Sequence, residues 1–135
     1  MSERATMDKQ HVLIAEDELA LQPILRDALE EAGFSVTLAA SAEEATERLE
    51  RPDQTFAALV TDINLSPAGL TGWDVARRAR ELNGALPVIY MTGAAAGDWP
   101  ANGVPNSILV TKPFAPAQII TALSQLLNVG GATAS

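Results

Sequence analysis

Five short apolar runs, separated by stretches with helical periodicity, constrain the fold of this chain more than any other feature of its sequence. The runs lie at residues 11–15, 34–39, 57–61, 87–91 and 107–111. Four of them are nearly continuous in apolar and β-branched residues, which is typical of short strands buried on both faces. The run at residues 34–39 alternates larger with smaller residues, and this favours a strand nearer the edge of a sheet.

Helical patterns occupy most of the segments between the runs. An amphipathic stripe ends at Gly33, a residue that commonly follows the last turn of a helix. Another helix is predicted to open at Ser41, where Glu44 completes a capping-box pattern. Strand and helix therefore alternate, which predicts a parallel sheet wrapped by helices through right-handed crossovers. The stretch 93–106 is so rich in glycine and proline that its helix is predicted to be short or broken.

The length of the chain, 135 residues, predicts a single domain. A domain of this size buries roughly two thirds of its unfolded surface, and the 47% hydrophobic content can supply the core. We expect the domain to cover residues 8–128, between flexible tails at residues 1–7 and 129–135. On that division we expect no DNA-binding or enzymatic output domain.

Charge and residue usage exclude several classes of function. The chain has 9 Lys and Arg against 17 Asp and Glu, a formal charge of −8, which argues against direct binding to nucleic acid or to anionic membranes. With no cysteine and one histidine, His11, it has no thiolate chemistry and no histidine cluster, and a Ser-His-Asp triad would have to use His11. No apolar run approaches membrane-spanning length, so a cytoplasmic protein is expected.

Polar residues with complementary chemistry follow the predicted strands. In doubly wound sheets the functional crevice lies at the carboxyl ends of the strands, so these residues are expected to converge. They are Glu16, Asp17 and Glu18 after the first run, Asp62 after the third, Thr92 and Gly93 after the fourth, and Lys112 and Pro113 after the last. Neighbouring carboxylates repel by roughly 4 kcal/mol at 4 Å and an effective dielectric constant of about 20. A divalent cation would remove that repulsion, and Mg²⁺ is the natural candidate because it prefers oxygen ligands.

Each of these residues also has a plain structural interpretation. Taken separately, the acidic pair could be a solvated loop, Asp62 and Thr92 could be turn residues, and Lys112 could be a surface lysine. Their order, at the ends of consecutive strands, favours one joint site over these separate interpretations.

At these residues the sequence resembles the receiver domain of two-component response regulators. The resemblance covers nearly the whole chain and rests on VLIAEDE, LVTDINL, VIYMTG and LVTKPF. It implies a flavodoxin-like, doubly wound, five-stranded parallel sheet in the order 2-1-3-4-5, with helices on both faces. Flavodoxin and receiver proteins are both standard examples of that strand order.

The resemblance also implies a role for each site residue. Asp62 would accept a phosphoryl group, and Lys112 and Thr92 would bind it and take part in the switch. Mg²⁺ would be held by Glu16, Asp17, Asp62 and the backbone carbonyl of Asn64. A cis peptide bond is implied between Lys112 and Pro113.

The family's partners follow from the same resemblance. The phosphoryl group would come from a sensor histidine kinase or a histidine phosphotransfer protein, and a downstream protein target would read the phosphorylated form. The chain would act as a phosphoacceptor that assists only its own phosphorylation and dephosphorylation, as a monomer or a weak phosphorylation-dependent dimer.

Three departures from the family pattern bear on signal output. Leu109 stands on the last strand where the family usually carries a switch aromatic. The connection from Asp62 to Trp73 is about two residues longer than usual. Because the fourth helix is short or broken, we hypothesise that signalling shifts the segment 92–103 between two populations, with Trp99 as a possible reporter. A plainer and favoured interpretation is that Trp99 covers the core.

Three other functions compete with that of a phosphorylated receiver. A Mg²⁺-dependent phosphohydrolase with Asp62 as its nucleophile would want a second acid two residues later, where this chain has Asn64. A flavin binder is disfavoured because aromatic residues are few and no hydroxyl-rich phosphate loop follows the first predicted strand. A binding module that works without phosphorylation is disfavoured by the complete set of site residues.

Overall fold

A computed structural model describes residues 9–65, 69–93 and 99–134 of the chain. Strands and helices alternate along it, as predicted. Their bounds are β1 His11–Ala15, α1 Leu21–Glu31, β2 Ser35–Ala39, α2 Ala42–Glu50, β3 Ala58–Asp62, α3 Gly72–Leu82, β4 Val88–Thr92, α4 Trp99–Asn102, β5 Ser107–Thr111 and α5 Pro116–Ala134. Each predicted strand is present within one residue of its predicted position.

The five strands form one parallel sheet in the order β2-β1-β3-β4-β5. This confirms the predicted topology, including the edge position of β2. The prediction that all four continuous runs are buried on both faces is wrong for β5, where Ile108 and Leu109 are only half-buried. β5 is the other edge strand, so one side of it lacks the neighbouring strand that covers β1, β3 and β4.

Two apolar cores lie on opposite faces of the sheet because successive side chains of a strand point to opposite faces. On one face, residues such as Ile14 and Ile89 pack with Leu25 of α1 and Ile119 of α5. On the other face the sheet packs against α2 and α3, with the α4 segment contributing at the margin. Helices thus cover both faces, and the polar ends of the strands remain open at the edge where the site lies.

The starts of α2 and α3 are fixed by side-chain caps. At α2 the predicted cap is present, since Ser41 Oγ accepts the Glu44 N–H at 3.0 Å. The Glu44 carboxylate accepts from the N–H of Ala40 at 2.7 Å, one residue before the partner of an ordinary capping box. At α3 Thr71 and Asp74 form a complete capping box, which was not predicted.

Gly72, the first residue of α3, packs directly on the end of β3. A Cβ atom at this position would lie 2.1 Å from the backbone oxygen of Asp62, and the Gly72 N–H donates to the carbonyl of Ile63 at 2.9 Å. Only glycine allows this close approach, which ties the start of α3 to the backbone of the proposed phosphoacceptor.

The predictions for the fourth and last helices differ in outcome. Within the described residues α4 spans Trp99–Asn102, four residues, in agreement with the short fourth helix that was predicted. α5 continues to Ala134, past the expected domain end at residue 128, so helical backbone extends into the segment predicted as a tail. The division of the chain at residues 8 and 128 stays a prediction. Among the described residues, no helix has the length and apolar character needed to cross a bilayer.

Candidate functional site

The ends of four adjacent strands bring the predicted site residues to one edge of the sheet. Asp62 and Thr92 are the last residues of β3 and β4, whereas they were predicted to follow these strands directly. Glu16 follows β1 and Lys112 follows β5 directly. The strand order places β3 and β4 between β1 and β5, so residues distant in sequence meet at this edge.

The Lys112 ammonium is the centre of the cluster. Its Nζ lies 2.6 Å from Asp62 Oδ2, 3.3 Å from Glu16 Oε1 and 3.9 Å from Glu18 Oε1. Burial of Lys112 favours its neutral form, but its hydrogen bonds to Asp62 and Glu16 and their charges outweigh this and raise its pKa. Lys112 therefore remains charged. Glu18 had no predicted role, because only the tertiary structure shows that its carboxylate reaches Lys112.

Glu16 is a fully buried carboxyl group. Its pKa is raised from 4.5 to about 7, chiefly because burial disfavours the charged form. The hydrogen bond from the Glu18 backbone N–H lowers the pKa, the negative charge of Asp62 raises it, and the positive charge and hydrogen bond of Lys112 lower it. The Glu18 N–H donates to Glu16 Oε2 at 2.9 Å. A single ammonium therefore does not fully compensate the negative charge of this cluster, and a further cation would be favoured.

Both oxygens of the Asp62 carboxylate are engaged. Oδ2 accepts from Lys112, and Oδ1 accepts the backbone N–H of Asn64 at 3.0 Å. Asp62 is 5% exposed, so its carboxylate faces the crevice rather than open solvent. These two bonds fix the orientation of the carboxylate at the end of β3.

The carboxylates of Glu16, Asp17 and Asp62 each offer an oxygen within 4.8 Å of the others. Glu16 and Asp62 are buried and Asp17 is exposed, so the group opens toward solvent on one side. Clustered carboxylate oxygens with an open side match the preference of Mg²⁺ for a few protein oxygens plus water or phosphate. The residues present therefore fit a magnesium ion.

Thr92 and the Lys112–Pro113 bond complete the β4–β5 side of the site. Thr92 is fully buried, and its backbone carbonyl accepts the Lys112 N–H at 2.7 Å. The Lys112–Pro113 peptide bond is cis, as the resemblance implied.

The residues considered for signal readout lie beside β4. Leu109 is the register partner of Tyr90, so an aromatic ring stands on the strand next to the position where the family carries one. A chain of hydrogen bonds runs from Trp99 Nε1 to Ser107 Oγ (2.9 Å), from Ser107 Oγ to the Val104 carbonyl (2.6 Å), and from the Val104 N–H to the Tyr90 hydroxyl (3.1 Å).

Trp99 is partly buried and packs against the core on the α2–α3 face. This agrees with the interpretation that Trp99 covers the core. Part of the segment proposed to shift, residues 94–98, lies outside the described residues. The same holds for residues 66–68, within the connection predicted to be longer than usual.

Comparisons with known protein sequences agree with the geometry of the site. A model of the response regulator receiver domain matches residues 12–124. The response regulator receiver protein CpdR of Brucella abortus (strain 2308) is 32% identical over 120 residues, which cover 87% of this chain and 97% of that protein. A response regulator receiver protein of Anaeromyxobacter sp. (strain Fw109-5) is 39% identical over 118 residues, which cover 87% of this chain and 46% of that protein.

Solved structures give the same answer. The crystal structure of a response regulator receiver protein from Sinorhizobium medicae WSM419 aligns with a TM-score of 0.85 at 43% identity, over 90% of this chain and 97% of that one. The receiver domain of a sensor histidine kinase from Pseudomonas aeruginosa PAO1, with a magnesium ion coordinated in its active-site cleft, aligns with a TM-score of 0.76 at 26% identity, over 89% and 98%. The chain therefore belongs to the response regulator receiver domain family of two-component signalling.

Proposed function

We propose that this receiver accepts a phosphoryl group on Asp62, in a Mg²⁺-dependent reaction, from a phosphohistidine of a sensor histidine kinase or a histidine phosphotransfer protein. The observation that carries the proposal is the oriented Asp62 carboxylate, which lies 2.6 Å from the Lys112 ammonium inside a cluster of three carboxylates. The phosphorylated form then changes which protein the receiver binds.

The chain's own residues supply positioning and charge. In the transfer, an Asp62 oxygen forms a bond to phosphorus while the bond from phosphorus to the donor nitrogen breaks, and the nitrogen keeps the electron pair. Phosphoryl transfer needs little covalent help beyond alignment and neutralised charge. The Asn64 N–H holds the Asp62 carboxylate in place, and Lys112 offsets negative charge on the incoming phosphoryl oxygens.

Glu16, Asp17, Asp62 and the backbone carbonyl of Asn64 would hold Mg²⁺. When bound, the ion neutralises charge on the phosphoryl oxygens and on the carboxylates. The fit of the carboxylate cluster supports this assignment, and the Pseudomonas receiver with magnesium in its active-site cleft is consistent with it.

Phosphorylation changes the charge at the end of β3, because one carboxylate charge becomes about two on a phosphoryl group with strong acceptor oxygens. Lys112 and the Thr92 hydroxyl bind this group, and Thr92 links it to the end of β4. The α4 segment beyond β4, with Trp99, carries the change to the surface that a target protein reads. Leu109 has no aromatic ring, so it cannot act as the rotating switch aromatic that the family usually carries at this position.

The residue two positions after Asp62 favours a phosphorylated signalling protein over a phosphohydrolase. Asn64 carries an amide there, and an amide cannot serve as the acid and base that rapid turnover of phosphoesters requires. The same position supplies the backbone N–H that orients Asp62.

Labelling with acetyl phosphate and Mg²⁺ tests the proposal. The wild-type protein should gain the mass of one phosphoryl group, and Asp62→Asn should gain none, because the nucleophilic carboxylate is absent. Asp53→Asn, which removes an exposed carboxylate elsewhere, is the matched control and should label as the wild type does. Labelling of Asp62→Asn at another residue would overturn the site assignment.

A further inference from the structure

We propose that Glu18 is a specificity-determining residue for the phosphoryl donor. Its carboxylate favours donors that carry a protonated imidazole, such as phosphohistidine, over donors whose leaving group is an anion, such as acetyl phosphate. This inference rests on the proposed phosphorylation of Asp62 and goes beyond it, because it assigns a residue outside the metal and phosphoryl-binding set to the choice of donor.

Glu18 lies at the rim of the site, close to the reacting carboxylate. Glu18 Oε1 is 3.9 Å from Lys112 Nζ, and the same nitrogen is 2.6 Å from Asp62 Oδ2. Because both oxygens neighbour one nitrogen, a phosphoryl group arriving at Asp62 comes within a few ångströms of the Glu18 carboxylate. The Glu18 side chain is 61% exposed, so its charge acts on molecules that approach from solvent.

A cavity of about 370 Å³ opens beside the site and is lined by Glu18, Leu21, Lys112, Pro113 and Phe114. Leu21, Pro113 and Phe114 contribute apolar side chains, and Glu18 and Lys112 contribute the two charged ones. Shorter contacts hold Lys112 to Asp62 and Glu16, so Glu18 carries the least neutralised charge on the cavity wall. An apolar cavity with one such carboxylate suits a flat, cationic ring better than it suits a small anion.

The same carboxylate acts with opposite sign on the two classes of donor. Phosphoimidazole protonated on its second ring nitrogen has a positively charged ring, which Glu18 attracts. As the phosphorus–nitrogen bond breaks, the nitrogen keeps the electron pair, neutral imidazole leaves, and the phosphoryl group is bonded to Asp62. With acetyl phosphate a phosphorus–oxygen bond breaks and acetate leaves with a negative charge, which Glu18 repels. For single charges several ångströms apart near water, each effect changes a rate about two- to fivefold.

The substitution that removes the charge keeps the local structure. The Glu18 contact to Glu16 is made by the backbone N–H, which glutamine retains. Glu18→Gln therefore keeps this backbone bond and removes the carboxylate charge together with its 3.9 Å ion pair to Lys112, and Glu18→Lys reverses the charge. Glu31→Gln makes the same change of net charge at an exposed position on the last turn of α1 and serves as the matched control.

The test compares phosphorylation rates of the full chain with phosphoimidazole and with acetyl phosphate, in Mg²⁺, at low and high salt. The ratio of the phosphoimidazole rate to the acetyl phosphate rate should fall several-fold in Glu18→Gln, fall further in Glu18→Lys, and stay unchanged in Glu31→Gln. High salt should shrink the differences, because the charge of an exposed group is screened.

An unchanged rate ratio in the Glu18 variants, which includes equal changes of the rates with both donors, would overturn the inference. Phosphorylation of the wild-type protein at Asp62 would still support the proposed function in that case. A shift of the same size in Glu31→Gln would also overturn it, because net charge would then explain the effect. Wild-type protein that neither donor labels at Asp62 would overturn the proposed function and this inference with it.

Discussion

At the scale of single residues, the site depends on how one ammonium is shared among several carboxylates. Lys112 contacts Asp62 most closely, Glu16 less closely and Glu18 at the longest distance. The sequence predicted that Glu16, Asp62 and Lys112 would meet, because they follow strands of a parallel sheet. It did not reveal the contact of Glu18, which depends on side-chain direction in a loop.

The buried Glu16 carboxyl predicts a loss of stability as the pH rises. Its pKa is about 7 in the folded protein against 4.5 ordinarily, so between these values the folded protein holds a proton that the unfolded chain has released. Its contribution to the free energy of unfolding is greatest below about pH 4.5 and falls, by about 3 kcal/mol in total, as the pH rises through 7.

Urea unfolding without divalent cations, at about pH 5.5 and about pH 8, measures this loss. The wild type should lose about 2 kcal/mol more than Glu16→Gln between the two conditions, because glutamine does not titrate. Equal losses in the two proteins would show that Glu16 is already ionised in the folded state at the lower pH.

At the scale of secondary structure elements, the junction between β3 and α3 positions Asp62. Gly72 allows the start of α3 to contact the Asp62 backbone, and the Thr71–Asp74 capping box fixes that start. The helical patterns between the apolar runs predicted a helix between β3 and β4 but not this capping box or close approach, since neither is part of a periodic pattern. The half-buried state of β5 was missed because its burial was predicted from its own apolar residues alone, although the strand order implied by the resemblance places β5 at an edge.

Gly72→Ala should destabilise the protein by about 2 kcal/mol or more, because the new methyl group would overlap the Asp62 carbonyl and the backbone must shift. Urea denaturation measures this change. Gly84→Ala is the control, since the nearest atom to its Cβ lies 3.9 Å away, and it should change stability by less than about 1 kcal/mol. Similar stabilities of the two variants would contradict the tight junction.

The α4 segment should report the state of the site through Trp99. In a Trp73→Phe background, which makes Trp99 the only tryptophan, Mg²⁺ with beryllium fluoride should change the tryptophan emission. The physical reason is the hydrogen-bonded chain from Tyr90 to Trp99, which connects β4 with α4. Ser107→Ala in the same background removes the acceptor of the indole N–H and should alter the change. Emission that does not respond in either protein would leave Trp99 as core packing alone.

At the scale of the whole molecule, magnesium binding should stabilise the fold. A ligand that binds only the folded state raises the free energy of unfolding, by about 2.7 kcal/mol at a hundred times its dissociation constant. The wild type should therefore unfold at a higher temperature as Mg²⁺ is added. The Asp17→Asn variant should lose most of this rise in unfolding temperature. Because Asp17 is exposed, the stability of the variant without Mg²⁺ should differ little from that of the wild type. An equal gain in Asp17→Asn would remove Asp17 from the metal site.

The parallel sheet, the helices on both faces and the convergence of the site residues were predictable from the sequence, because strands alternating with helices admit few topologies. The strand order came from the resemblance to receiver domains, and the structure has the same order. Part of the negative charge behind the formal net charge of −8 is concentrated at the site, where Glu16, Asp17 and Asp62 form one cluster.

The most direct test of phosphorylation at Asp62 is to locate the modified residue chemically. The protein is treated with acetyl phosphate and Mg²⁺, and borohydride then reduces the acyl phosphate to an alcohol that tandem mass spectrometry places in the sequence. We predict reduction at Asp62 only, and none when Mg²⁺ is removed with a chelator. Reduction at another carboxylate, or at none, would contradict the account.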